Sequence, residues 1–218
     1  MDRTELQHAL ESHTHSLRSR GVDVDRPEVA DVASPQEVDE VEAALGIPIP
    51  QTLRHAFETI ARGVSWSWQT ADDDGFEGSF RDIFSGGLDW SLDNLCEHHS
   101  GYLSWVQECF PNAADPYDRV WHHKLGFASV PNGDVLAVDL DPRRLGAIVY
   151  LSHDDGEGHG YVLASSLEDL LDRWVPLACP GPEHWQWLPF VPYGTGPIDP
   201  ASVNGVAWRE LMGLILVQ

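Results

Sequence analysis

Residues 131–175 constrain the fold more than any other stretch, because they form one local unit of turn, strand, strand, polar turn, strand and capped helix. Pro131-Asn132-Gly133-Asp134 opens the unit with an Asn-Gly pair, which tolerates the positive φ of tight hairpin turns. Val135 to Leu140 reads as a strand broken at Asp141-Pro142, and the apolar run Ala147 to Leu151 reads as a second. His153-Asp154-Asp155-Gly156-Glu157-Gly158-His159-Gly160 turns the chain, and Tyr161-Val162-Leu163 returns it. Ser165 or Ser166 then caps a helix through Arg173 and Trp174. Nothing in this unit supplies a catalytic apparatus.

Helix signals dominate the first sixty residues. Leu6, Leu10 and Leu17 recur at helical spacing over residues 2–19, with Gly21 beyond the end. Residues 22–33 are acidic, contain Pro27 and read as a linker. Ser34 then offers a cap, Pro35 suits the first helical position, and Glu37 completes a Ser-x-x-Glu capping box. Val38, Val41, Ala44 and Leu45 make the apolar face, closed by Gly46 and Ile47-Pro48. A third helix from Pro50 buries Leu53, Phe57 and Ile60, and the short connection packs it against the second.

Farther on, Trp66-Ser67-Trp68-Gln69 alternates as a strand does, and Phe76 to Phe80 is another candidate strand beyond the acidic loop at Asp72, Asp73 and Asp74. Ser91 to Phe110 reads as a long helix with Leu92, Leu95, His99, Leu103 and Val106 on one face. After Pro176 the chain is rich in Pro, Gly and Trp and is expected to wrap the domain, ending in a short helix near Trp208–Leu214. The expectation is a single α+β domain over 1–218. It comprises an N-terminal helix (1–21), a linker (22–33), a core (34–175) with a central, mainly antiparallel sheet covered by helices, and a wrapping tail (176–218).

Charge narrows the function classes. Thirty-five acids face thirteen bases, a formal net charge of −22. Nucleic acid and anionic membranes both require a basic footprint, so neither is expected as a partner, whereas a basic protein fits. Solubility or a salt-rich cytoplasm also accounts for acidity of this size. Three cysteines, Cys96, Cys109 and Cys179, lack the spacing of a disulfide framework or a zinc ribbon. No apolar leader or membrane-length run is present, and the expected compartment is the reducing cytoplasm.

The candidates for chemistry are the histidines and the acidic loops. His153 and His159 flank Asp154, Asp155 and Glu157, a set that could hold a divalent ion, but turn chemistry already explains the composition and the spacing is not that of an EF-hand. His98-His99 and His122-His123 are the other pairs, and His99 lies on an apolar helix face, as a core histidine does. Cys96 with His99 lacks an oxyanion-hole loop, and Gly156-Glu157-Gly158-His159-Gly160 lacks the Lys-Ser/Thr sequel of a phosphate cradle. No catalytic residue, metal or cofactor is therefore assigned. Asp72, Asp73 and Asp74 near Trp66 and Trp68, and Asp154, Asp155 and Glu157 on another turn, are either solvated loops or an acidic patch with aromatic anchors for a basic partner.

Three blocks resemble the SUKH superfamily, which includes the SMI/KNR-type domain of cell-wall assembly regulators. Ser34 to Pro50 is similar to its opening helix with a Leu-Gly-x-x-Leu-Pro loop. Asn132 to Leu140 is similar to its Gly-Asp-x-Leu-Ala-x-Asp strand. Val149 to Asp154 with Ser166 to Leu171 is similar to its next strand and terminal helix. The blocks cover residues 34–175 in the family's order, although Ala61-Arg62-Gly63 stands where the family usually shows an Asn-Gly element. The resemblance implies a non-catalytic protein-binding module: a bacterial immunity protein that neutralises a toxin by stoichiometric binding, or alternatively a regulator or scaffold binding endogenous partners.

Overall fold

The computed structural model describes residues 1–71, 76–154, 156–192 and 196–214. Helix α1 (Arg3–Arg18) starts at Asp2, whose carboxylate accepts the Glu5 amide at 2.9 Å while the Glu5 side chain accepts the Asp2 amide at 2.8 Å. This reciprocal box satisfies two otherwise orphaned donors. Its inner face buries Leu6, Leu10 and Leu17 as expected, together with Ala9, His13 and Thr14.

The stretch expected as a linker contains two short strands, β1 (Asp23–Val24) and β2 (Glu28–Val29). Both pair antiparallel with β3 (Gly63–Gln69), Val24 opposite Trp68 and Val29 opposite Val64. Each valine enters the core while its acidic neighbour stays outside. Two residues are too few for periodicity to register, and it is the edge of β3 that makes them strands. The other edge of β3 carries β4 (Ser85–Ser91), which completes a four-stranded sheet.

Helix α2 (Pro35–Leu45) has the expected capping box at Ser34 and ends on Gly46 in the left-handed region, φ 70°. Arg54 of α3 (Gln51–Thr59) ties it down through Asp39 at 2.8 Å and Glu42 at 3.2 Å. The expected strand at Phe76–Phe80 is a 3-10 turn over Gly78–Phe80, its rings drawn onto Trp208 at centroid distances of 5.0 and 5.3 Å. The expected long helix begins late, as α4 (Leu95–Glu108), because Ser91 belongs to β4. Its buried face is Leu95, His99 and Tyr102, and Leu103 is 38% exposed.

After α5 (Asp118–Trp121) the second sheet runs β5 (Lys124–Ser129), β6 (Val135–Asp139), β7 (Ile148–Leu151) and β8 (Val162–Ala164), in that order and antiparallel throughout. Helix α6 (Leu167–Trp174) follows, capped by Ser166. The fold is α+β with antiparallel pairing, and its strands form two sheets where one central sheet was expected. The tail carries α7 (His184–Trp187) and α8 (Val203–Met212) and touches the first sheet through a bridge from Gly86 to Pro180. A Cβ at Gly86 would collide with the Trp68 ring and the Cys179 carbonyl, so only glycine permits that approach. Among the described residues, no helix is long and apolar enough to cross a membrane.

Candidate functional site

The first sheet has one face in the core and one in solvent, divided by simple alternation. Val64, Trp66 and Trp68 of β3 point inward with Gly86, Leu88 and Trp90 of β4, and all are buried. Ser65, Ser67 and Gln69 point outward with Ser85, Gly87, Asp89 and Ser91. The register adds Asp23 opposite Gln69 and Glu28 opposite Ser65, both exposed. The outer face is therefore built of small residues edged by acids. Serine and glycine are weak strand formers, so strand stability does not account for them.

A cleft of about 430 Å³ opens on this face and drops past β4 toward the second sheet. Asp23, Asp25 and Asp89 stand among its lining, its depth is walled by Phe127, Leu136 and Trp174, and no Lys, Arg or His among the described residues lines it. Asp25 is set by β1, its amide donating to the Ser67 carbonyl at 2.9 Å while its carboxylate accepts the Ser67 hydroxyl. A more open hollow of about 600 Å³ shares Asp89 and Trp90 with it and has Arg26 in its lining.

Of the residues expected to meet a partner, Trp66 and Trp68 line the cleft but are almost wholly buried, so they are not exposed anchors. Each is 2% exposed, with Trp66 Nε1 donating to Thr14 Oγ1 at 3.0 Å and Trp68 Nε1 to the Ala178 carbonyl at 2.7 Å. They are pillars of the core face, because a period of two with serine between puts the rings inside. Asp72, Asp73, Asp74 and Asp155 lie outside the described residues. Asp154 and Glu157 are both exposed, and Asp154 accepts the Ser152 hydroxyl at 2.8 Å. Asp23, Asp25 and Asp89 were missed because their strands were; the Ser-Trp-Ser-Trp alternation was the available signal for the face itself.

The hairpin motif resolves into structural chemistry. Asp134 is buried. One of its oxygens accepts the His153 amide at 2.9 Å and lies 2.7 Å from His153 Nδ1, and the other accepts Asn132 Nδ2 at 2.8 Å and the Tyr150 hydroxyl. Burial alone would raise its pKa, but the bonds from Tyr150, His153 and Asn132 outweigh it and hold the carboxyl below its ordinary value. Asp134, His153 and Asp154 offer ligand atoms within 4.8 Å of one another. The two Asp134 oxygens already face four partners, so the carboxylate is accounted for as the lock of the hairpin. Asp139, also buried, faces Lys124 at 3.4 Å and Arg144 at 3.0 Å.

Two further histidines are likewise engaged. His99 Nδ1 accepts the Gly126 amide at 3.3 Å and burial lowers its pKa, so it is a hydrogen-bonded core histidine, as expected. His159 Nδ1 accepts the Ser152 amide at 3.0 Å, which leaves Nε2 to donate to the Tyr117 carbonyl at 3.2 Å. Cys179 is buried and its thiol is pushed up by burial, which suppresses the thiolate a nucleophile needs.

Comparison with curated proteins finds no match. A family model does match: SMI1 / KNR4 family (SUKH-1), over residues 32–173. That range takes in α2, both sheets from β3 onward and nearly all of α6, leaving α1 and the tail as additions. SUKH proteins are in general non-enzymatic and act through protein–protein interaction. On that match, spanning well over half of its length, the chain belongs to the SMI1 / KNR4 (SUKH-1) family.

Proposed function

We propose that this protein is a cytoplasmic immunity protein, which neutralises a basic toxin domain by stoichiometric binding and performs no catalysis. The family supports the binding role, and the net charge of −22 supports a basic partner. The observation that carries the reading is the outer face of the first sheet, where small side chains let a partner approach closely and Asp23, Asp25 and Asp89 meet no base in the cleft among the described residues. Acids on a rim steer encounter and reject like-charged surfaces, while the apolar floor supplies area to bury. The acidic loops bearing Asp72, Asp73, Asp74, Asp154, Asp155 and Glu157 add to the same long-range field.

Co-expression with the neighbouring reading frames tests it. Rescue of growth from an adjacent toxin gene, with recovery of an equimolar complex, is the expected result. The triple change Asp23→Asn, Asp25→Asn, Asp89→Asn is expected to weaken that complex about a hundredfold or more and to flatten its salt dependence. No rescue by any neighbouring gene, with retained binding to proteins of the cell itself, would replace immunity by a regulatory or scaffold role.

A further inference from the structure

The two sheets meet at strand edges that are left open, and the cleft lies between them. Leu92 N donates to the Arg62 carbonyl and Thr70 N to the Phe84 carbonyl, each at 2.9 Å, so even-numbered positions along β4 turn their backbone groups to β3. Odd-numbered positions turn theirs away. The tail satisfies the first of these: Gly87 N donates to the Cys179 carbonyl at 2.7 Å, and the Ser85 carbonyl accepts Gly181 N at 2.9 Å. Beyond that point the tail departs. Among the described residues, the Gly87 carbonyl and both backbone groups of Asp89 have no backbone partner.

The facing strand shows the same change along its length. Before the bulge between Gly126 and Ala128, α4 closes β5: Lys124 N donates to the Tyr102 hydroxyl and Gly126 N to His99 Nδ1, both at 3.3 Å. After the bulge, Val130 N donates to the Asp134 carbonyl at 2.9 Å, which turns Ser129 away from β6. Among the described residues its backbone groups have no backbone partner either. Gly87, Asp89 and Ser129 all line the cleft.

An open edge invites another strand, and proteins commonly block it with lysine, proline or a covering segment. Here the guards are acids. A strand added to β4 would present alternate side chains to opposite sides. One set would lie on the outer face among Asp23, Asp25 and Asp89, and the other would point to Trp90 and Phe127. Building on the partner-binding reading above, we propose that the cleft takes an extended segment of the partner protein in which arginine or lysine alternates with apolar residues, added as a strand to β4 at Gly87–Asp89.

The test uses the full-length protein and a labelled acetyl-(Arg-Val)4-amide peptide, followed by fluorescence anisotropy and by amide hydrogen exchange across residues 85–91 and 127–130. Saturable binding that protects the Asp89 amide is expected. N-methylating alternate peptide nitrogens is expected to weaken it about tenfold, the loss of one or two net backbone hydrogen bonds, and (Glu-Val)4 is expected not to bind. Equal binding by the N-methylated peptide would overturn strand addition and leave capture by charge alone. Failure of the peptide to bind, or protection elsewhere, would overturn the proposal outright. A toxin complex in which the Asp89 amide still exchanges freely would sink the strand while sparing immunity, whereas absence of any basic partner would remove both. Asp89→Pro, which deletes one edge donor, and Asp89→Asn, which keeps it, separate backbone pairing from charge.

Discussion

The two sheets solve the same problem in opposite ways. The second is covered on both sides. Leu136, Val138, Ile148 and Tyr150 join the main core, while Val135, Ala137, Val149 and Leu151 join a separate cluster with Tyr102, Phe110 and Trp121 from the α4–α5 side. Its two central strands, β6 and β7, read as apolar runs, as doubly buried strands do. The first sheet is covered on one side only and spends its other face on serine, glycine and aspartate. One sheet therefore holds the molecule together and the other is free to meet something. An aspartate means different things in the two places: Asp134 is buried and faces four partners, whereas Asp89 is exposed on the rim of a cleft.

That contrast breaks most sharply at those two residues. Asp134→Ala leaves the Tyr150 hydroxyl, Asn132 amide and His153 donors without their acceptor, and should cost about 3–5 kcal/mol in denaturant unfolding. Asp89→Asn should change stability by no more than about 0.5 kcal/mol, since it removes an exposed charge with no side-chain partner among the described residues. Comparable losses for the two variants would show that the first sheet's outer face is as structural as the second sheet's interior.

A second effect sharpens the description of the first sheet's covered side. His13, on α1, lies 3% exposed with its ring 6.4 Å from that of Trp66. Burial lowers its pKa to about 4, more than a backbone bond to Val175 restores. The unfolded chain, titrating near 6.5, takes up the proton first, so stability is full above that pH. It falls as pH drops from 6.5 to about 4, by about 3 kcal/mol in total, and this contribution then levels off. His13→Phe should remove that slope in thermal melts recorded across the range. An unchanged slope would assign the acid sensitivity in this window to another histidine whose pKa burial lowers, such as His99.

Legibility in the sequence followed the same division. The capping box at Ser34, the Asn132-Gly133 turn, β6, β7 and α6 were readable because their signals are local: a cap, a positive-φ pair, an apolar run. The first sheet was largely hidden. β1 and β2 have two residues each and exist only because β3 offers an edge. β4 begins Ser85-Gly86-Gly87, which intrinsic preference disfavours, while Leu92 and Leu95 imitate a helix running back through Ser91. β5 hides a buried Lys124 and a glycine pressed against Tyr102. The site followed from those omissions. Trp66 and Trp68 were visible, but aromatic content drew them to the surface when their spacing placed them inside.

The smallest expected effect asks why the outer face carries serine at all. Threonine at 65 and 67 would keep each hydroxyl, including the bond from residue 67 to Asp25, and would add the β-branch that strands favour. Nothing in the core touches these positions, since both point to solvent. Ser65→Thr with Ser67→Thr should therefore stabilise the protein, by about 0.5 kcal/mol in chemical denaturation. If the face exists to let a partner approach closely, the same two methyl groups should slow complex formation and weaken it, although charge is untouched. Gain of stability with loss of binding separates a surface kept small for a partner from one that is small by drift, which would yield the first effect without the second.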